Sequence, residues 1–182
     1  MPSIFLAVML AFAFGANISR CEEDLVLAEY KLLMNNGTRH WMVQRNYDDD
    51  WKCIYYRKFQ PAGKRLSQNY QITKCYDHNR QECVNYEASL IRKTKRTAGS
   101  NIIMWREGEE DKKTEYTLTD WDSSKKCFVL RSSTAEGVSR CELHVFTETA
   151  PQKPWSCESK YISTCGGTHY DVYSERCTNM FG

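Results

Sequence analysis

The residues best suited to chemistry in this 182-residue chain are nine cysteines and a few carboxylates set among aromatic and apolar neighbours. Five of the cysteines, at 127, 141, 157, 165 and 177, run through Cys127-Phe128-Val129-Leu130, Cys141-Glu142-Leu143-His144-Val145 and Cys165-Gly166-Gly167. Strand formers and a Pro/Trp turn surround them, a setting for covalent cross-links and not for zinc knuckles. Alternation along the second segment puts Glu142, His144 and Phe146 on one face and Cys141, Leu143 and Val145 on the other. By residue type alone Glu142 is either an exposed, salt-bridged side chain or an inward carboxylate that requires a partner. Asp48-Asp49-Asp50, directly after Tyr47, is either a solvated turn or part of a site. Trp105 and Tyr116, on neighbouring strand segments, are either core filling or an aromatic wall.

Hydrolase, zinc-protease and phosphate-cradling motifs are missing from the sequence, and the histidines at 40, 78, 144 and 169 are scattered. The expectation is therefore a binding protein without enzymatic activity, cofactor or metal. A formal net charge of +2 is too small to point to nucleic acid or an anionic membrane as the main partner.

The first residues, Ile4 to Phe14, form an apolar stretch of signal-peptide length, shorter than the roughly 20 residues of a membrane span. The expected organisation is a signal peptide over 1–19, cleaved somewhere after 15–19, followed by one domain over 20–182 and no membrane insertion. In a secreted chain, nine cysteines read as disulfides. Asn36-Gly37-Thr38 is a glycosylation acceptor, and Asn17-Ile18-Ser19 is a second one if it survives cleavage.

The elements that must position these residues follow from periodicity. Leu25, Ala28 and Leu32 recur at helical spacing and predict a helix over Glu22–Met34. Strand-forming segments follow near 40–47, 52–59, 69–76, 83–91, 101–106, 114–121, 126–131 and 139–146. Eight strands in meander order predict a mainly β, antiparallel up-and-down barrel, because closure removes exposed edges. Charged stretches at 92–96 and 107–113 read as solvated hairpin tips. A second helix is expected over Pro151–Cys165, then an extended piece over His169–Ser174. Cys75 and Cys83 fall near the tips of adjacent strands, close enough to bridge their hairpin. A metal site using His78 there is disfavoured in an oxidising compartment.

Asp122-Ser123-Ser124 before Cys127-Phe-Val-Leu, then Cys141-Glu-Leu-His-Val, Cys157, Cys165-Gly-Gly, Val172-Tyr173 and Cys177 resemble the tick salivary lipocalins. Arg45-Asn46-Tyr47-Asp48-Asp49-Asp50, with Cys53 after it, resembles the same family's first strand and its exit. The resemblance spans essentially the whole mature chain. It implies an eight-stranded lipocalin barrel with Cys53 tied to Cys177 and Cys127 to Cys157, leaving Cys141 and Cys165 as a third pair. Cys21 then has no partner: it is free, links two chains, or displaces one of these pairs.

The resemblance also implies a ligand. The family includes histamine and serotonin binders and other immune modulators secreted into the host. Glu142 matches an amine-binding glutamate of the histamine binders, and Tyr47 and Asp50 match the residues that accompany it. With the disulfide face outward, Glu142 points into the barrel. Tight amine binding would need both Asp50 and Glu142 to face inward. Phe128 stands where two-site histamine binders carry an acid, so a second amine site is not expected. With Leu130 and Phe146 it makes an apolar end suited to a sterol, fatty acid or leukotriene. The candidate ligand residues are thus Tyr47, Asp50, Trp105, Tyr116, Phe128 and Glu142. A host protein contacted through surface loops, such as complement or an immune-cell receptor, is the alternative partner.

Overall fold

Segments rich in Tyr, Val, Ile, Trp and Thr, cut by polar turns, form antiparallel strands with one face of each against the interior. The computed structural model describes residues 39–61, 69–77, 81–92, 100–134 and 137–180. The barrel strands are β1 (His40–Arg45), β2 (Lys52–Pro61), β3 (Asn69–Asp77), β4 (Gln81–Arg92), β5 (Ser100–Arg106), β6 (Thr114–Asp122), β7 (Cys127–Ser133) and β8 (Ser139–Phe146). They are followed by helix α1 (Glu158–Cys165), a short strand β9 (Tyr170–Asp171) and helix α2 (Glu175–Met180). Consecutive strands pair from β2 through β8, β8 pairs with β1, and β1 returns to β2, so the eight-stranded sheet closes.

Among the described residues, closure between β1 and β2 is short, with His40 opposite Tyr56 and Trp41 opposite Tyr55. Beyond that point β2 leaves β1, and Cys53 sits at a left-handed φ of 49°. A non-glycine residue there costs on the order of 1–3 kcal/mol. The gap is filled by the C-terminal segment. Gln44 and Arg45 pair with Asp171 and Tyr170 of β9, Val172 N–H donates to Val43 O, and Cys53 N–H donates to Val172 O. Val172 turns inward and joins the barrel core.

Two apolar layers result from the alternation. Met42, Ile54, Ile72, Leu118, Phe128 and Phe146 belong to the interior. Trp41, Val43, Leu143, Val145, Trp155 and Tyr161 belong to an outer layer between the barrel wall and the C-terminal elements. Strand β8 contributes to both in the expected way, with Phe146 inside and Cys141, Leu143 and Val145 outside.

Three disulfides, Cys53–Cys177, Cys127–Cys157 and Cys141–Cys165, fasten that outer layer, and a fourth, Cys75–Cys83, joins β3 to β4. These are the pairs implied by the cysteine spacing and the family resemblance together. Helix α1 is pinned at both ends, by Cys157 to β7 and by Cys165 to β8.

The C-terminal elements differ in detail from the periodicity. Residues 151–156 form a turn and not the start of a helix, since prolines at 151 and 154 withhold backbone donors. Trp155 Nε1 closes this turn on Ala150 O at 2.8 Å. Of the extended piece 169–174, only Tyr170 and Asp171 pair as a strand. Helix α2 leaves no periodic signal in the sequence, because six residues are too few for one. The predicted helix over 22–34, Asn17, Asn36, Cys21 and the signal segment lie outside the described residues.

Loop length ranks these cross-links. Cys53–Cys177 spans 124 residues of sequence and Cys75–Cys83 spans 8. In the chain-entropy picture they are worth about 5 and about 2.5 kcal/mol respectively. Replacing both cysteines of each pair by alanine should therefore lower the urea midpoint roughly twice as far for 53/177 as for 75/83, measured by circular dichroism.

Candidate ligand-binding site

Glu142 lies at the centre of β8, opposite Arg45 of β1 and Leu130 of β7, and is only 3% exposed. Its Oε1 accepts from Tyr47 OH at 2.8 Å and its Oε2 meets His144 Nε2 at 3.0 Å. An ionised carboxylate can only accept, so Nε2 is the nitrogen that carries the hydrogen. The His144 ring is itself fixed, stacked on Phe128 at 4.9 Å and edge-on to His40 at 5.3 Å.

Burial by itself would push the Glu142 carboxyl up. The His144 hydrogen bond and charge, the Lys74 charge and the Tyr47 hydrogen bond outweigh it and hold Glu142 below the ordinary carboxylate value. Glu142 is thus a formed anion inside the barrel. Burial first, and the Glu142 charge second, push Tyr47, Tyr56 and Tyr116 up, so all three present neutral hydroxyls. His40 is held below its ordinary value by burial and then by His144.

Two cations share this space. Lys74 faces inward from β3 opposite Tyr56, with Nζ 5.8 Å from that ring. Burial lowers its basicity, while Glu142 and Asp49 oppose the shift. Arg45 is fully buried, donates to Asp49 O, and lies 3.7 Å from the Asp49 carboxylate. Its guanidinium stands 5.3 Å from the Tyr47 ring, and that of Arg140 stands 4.9 Å from it. Nε and Nη1 of Arg45 find no hydrogen-bond partner among the described residues.

The polar cluster lies between an apolar base and a half-buried aromatic rim. Phe128, Phe146 and Trp121 pack at the base, with Trp121 5.8 Å from Phe128. Trp51, Tyr76, Tyr86 and Tyr116 pack only partly against the interior, and Trp51 meets Tyr76 at 4.1 Å between centroids. A few convergent polar groups set among apolar and aromatic side chains are the common lining of a small-ligand site, although the cavity seen among the described residues lies outside the barrel, beside Lys52, Trp155, Asp171 and Tyr173.

The candidate residues divide accordingly. Tyr47 and Glu142 are hydrogen-bonded to each other, while Tyr116 and Phe128 line the same interior. Asp50 does not join them. It is exposed in the β1–β2 connection, and Asp49 turns back instead, pairing with Arg45 and accepting from Trp51 N–H at 3.2 Å. The fully buried Arg45 charge requires a carboxylate, and Asp49, four residues on, supplies it. Trp105 is also displaced from the expected wall. Ile102 and Met104 face the interior, so period two turns Trp105 outward, where Lys113 covers its ring at 4.9 Å.

Arg45, Lys74, Tyr56 and His40 were not singled out from sequence. Alternation alone could have found Lys74, which shares a face with Tyr70, Ile72 and Tyr76. Arg45 is hidden by a register shift between Met42 and Gln44, which resets the alternation in β1.

A closed eight-stranded meander barrel with a C-terminal helix against its wall and a polar cluster in its interior is a lipocalin. Residues 28–179 match the tick histamine binding protein family, and the chain belongs to that family. A comparison with curated sequences found no match. Among solved structures, the chain is similar to japanin from Rhipicephalus appendiculatus bound to cholesterol, with 13% identity, 78% of this chain and 96% of that one covered, and a TM-score of 0.55. It is also similar to AM182 in complex with serotonin, with 16% identity, coverages of 79% and 88%, and a TM-score of 0.58. Lobster apocrustacyanin A1 shares the fold at 10% identity, with coverages of 84% and 85% and a TM-score of 0.54.

Acid should destabilise the fold in two steps. His40 has a lowered folded value, so below its ordinary 6.5 the unfolded chain takes up a proton that the folded chain refuses. The contribution of Glu142 is complete above its ordinary 4.5 and is lost as pH falls through its depressed folded value. Urea melts from pH 7.5 to 3 should show both steps, and His40→Phe should flatten the upper one.

Proposed function

We propose that this protein is a secreted lipocalin that takes up a small host mediator inside its barrel, and that the mediator is a biogenic amine. The observation that carries this reading is the ionised, buried carboxylate of Glu142, hydrogen-bonded to Tyr47 within a ring of aromatic side chains. A protonated amine could pair directly with this carboxylate, with which Lys74 makes no direct ion pair, and an attached aromatic ring suits Tyr56, Tyr116 and Phe128. The serotonin complex of AM182 supports the same ligand class. The four disulfides are consistent with an extracellular setting. Sequestering such a mediator would suppress host inflammatory responses at a feeding site.

The placement of Asp50 limits the expected strength. One charge-assisted contact contributes roughly 1.5–3 kcal/mol and a ring face about 2. With burial of the ligand ring, the sum comes near the roughly 8 kcal/mol of micromolar binding. A single, moderate site follows.

A second reading rests on Lys74 and Arg45. Arg45 has donors to spare, and both Glu142 oxygens already hold partners. An amphipathic lipid acid could set its carboxylate near these cations and its chain against the apolar base. The cholesterol bound to japanin supports a lipid in a related barrel.

Isothermal titration with histamine, serotonin and a long-chain fatty acid separates the two readings. For an amine ligand, Glu142→Gln should weaken binding at least tenfold, Lys74→Met should strengthen it, and Asp50→Asn should leave it within twofold. Uptake of the fatty acid alone, weakened by Lys74→Met, would establish the lipid reading instead.

A further inference from the structure

The Cys75–Cys83 disulfide differs from the other three in its setting. Cys53, Cys127, Cys141, Cys157 and Cys177 are buried and Cys165 is half-buried, whereas Cys83 is exposed on the outer face of β4. Its partner Cys75 is buried, so a reductant approaches through Cys83 alone. The bond joins directly opposed residues of β3 and β4 and closes a loop of sequence separation 8, the smallest of the four. A short loop gains least from its cross-link, and the strands remain paired by backbone hydrogen bonds without it.

Two neighbours give the bond a role. Nη2 of Arg57 lies 3.7 Å from Cys83 Sγ, and a guanidinium beside a sulfur favours its thiolate. On the chain, Cys75 stands between Lys74 and Tyr76, both turned into the barrel. Tyr76 packs on Trp51 at the rim and its hydroxyl is 3.5 Å from Glu82 Oε2 on the opposite strand. The disulfide therefore fixes, from outside, the strand whose inner face carries Lys74 and part of the aromatic rim.

We infer that Cys75–Cys83 is a redox-sensitive clasp on the barrel mouth, opened by dithiol reductants while the other three disulfides stay closed. A thiolate of the dithiol attacks Cys83 Sγ, the Cys75–Cys83 bond breaks, and Cys75 leaves as thiolate and takes a proton. The second thiol of the reductant then attacks its own sulfur in the mixed disulfide. Cys83 is released as a thiolate beside Arg57, and the reductant becomes a cyclic disulfide. Two electrons pass from the dithiol to the protein, and an external disulfide reverses the step. Opening loosens β3 and β4 at the rim, which changes the rate of ligand exchange without unfolding the barrel.

The test uses the folded, oxidised chain and graded dithiothreitol, followed by alkylation and peptide mass spectrometry. Cys75 and Cys83 should become labelled at a dithiothreitol concentration at least tenfold below that which opens any of the other three pairs. Opening of Cys53–Cys177, Cys127–Cys157 or Cys141–Cys165 at the same or a lower concentration would overturn the proposal. A second arm follows amide hydrogen exchange in a Cys75→Ala/Cys83→Ala variant. Faster exchange confined to β3, β4 and the Trp51 segment supports the clasp, and exchange unchanged there refutes its coupling to the mouth. Neither arm needs a ligand, so both outcomes are independent of whether the barrel holds an amine or a lipid.

Discussion

A carboxylate inside a β-barrel loses its water and costs several kcal/mol unless other groups replace that hydration. Glu142 meets this condition through Tyr47, His144 and the nearby charge of Lys74. Much of the interior is arranged around it. His144 holds its position because Phe128 stacks on it and His40 closes from the side. Tyr47 hydrogen-bonds Glu142 while the Arg45 and Arg140 guanidiniums stand by its ring. Arg45 in turn binds back the β1–β2 connection through Asp49. The charged cluster thus ties β1, β3 and β8 to the loop at the barrel mouth.

The C-terminal segment makes this interior possible. Where β2 leaves β1, the wall between them would expose unpaired backbone and admit water beside the charges. The segment around β9 fills that gap, supplies Val172 to the core and is held by Cys53–Cys177. The same cross-linked layer settles which face of β8 points outward. Cys141, Leu143 and Val145 meet the helix side, and Glu142, His144 and Phe146 are left for the interior. The Cys141 cross-link on the outside and the Glu142 charge on the inside are two consequences of one strand alternation.

Much of this was legible in the sequence because period two is robust in β8 and β7. The cysteines mark one face there, and Glu142 and Phe128 fall on the other. Legibility fails where alternation is interrupted. The register shift in β1 conceals Arg45, and without that buried charge nothing in Asp48-Asp49-Asp50 says which carboxylate turns inward. Residue type suggests Trp105 for an aromatic wall, but its strand phase, set by Ile102 and Met104, points the other way. Lys74 obeys the alternation but contradicts the usual preference of lysine for water, so its residue type hides what the pattern places inside.

The most direct test is a carboxyl-carbon NMR titration of Glu142, in the free protein and with added serotonin. The account predicts a Glu142 signal that stays ionised below the ordinary carboxylate range and moves when the amine is added, while the Asp50 signal does not respond to the amine. A Glu142 signal that titrates like an exposed side chain and ignores the amine would contradict it.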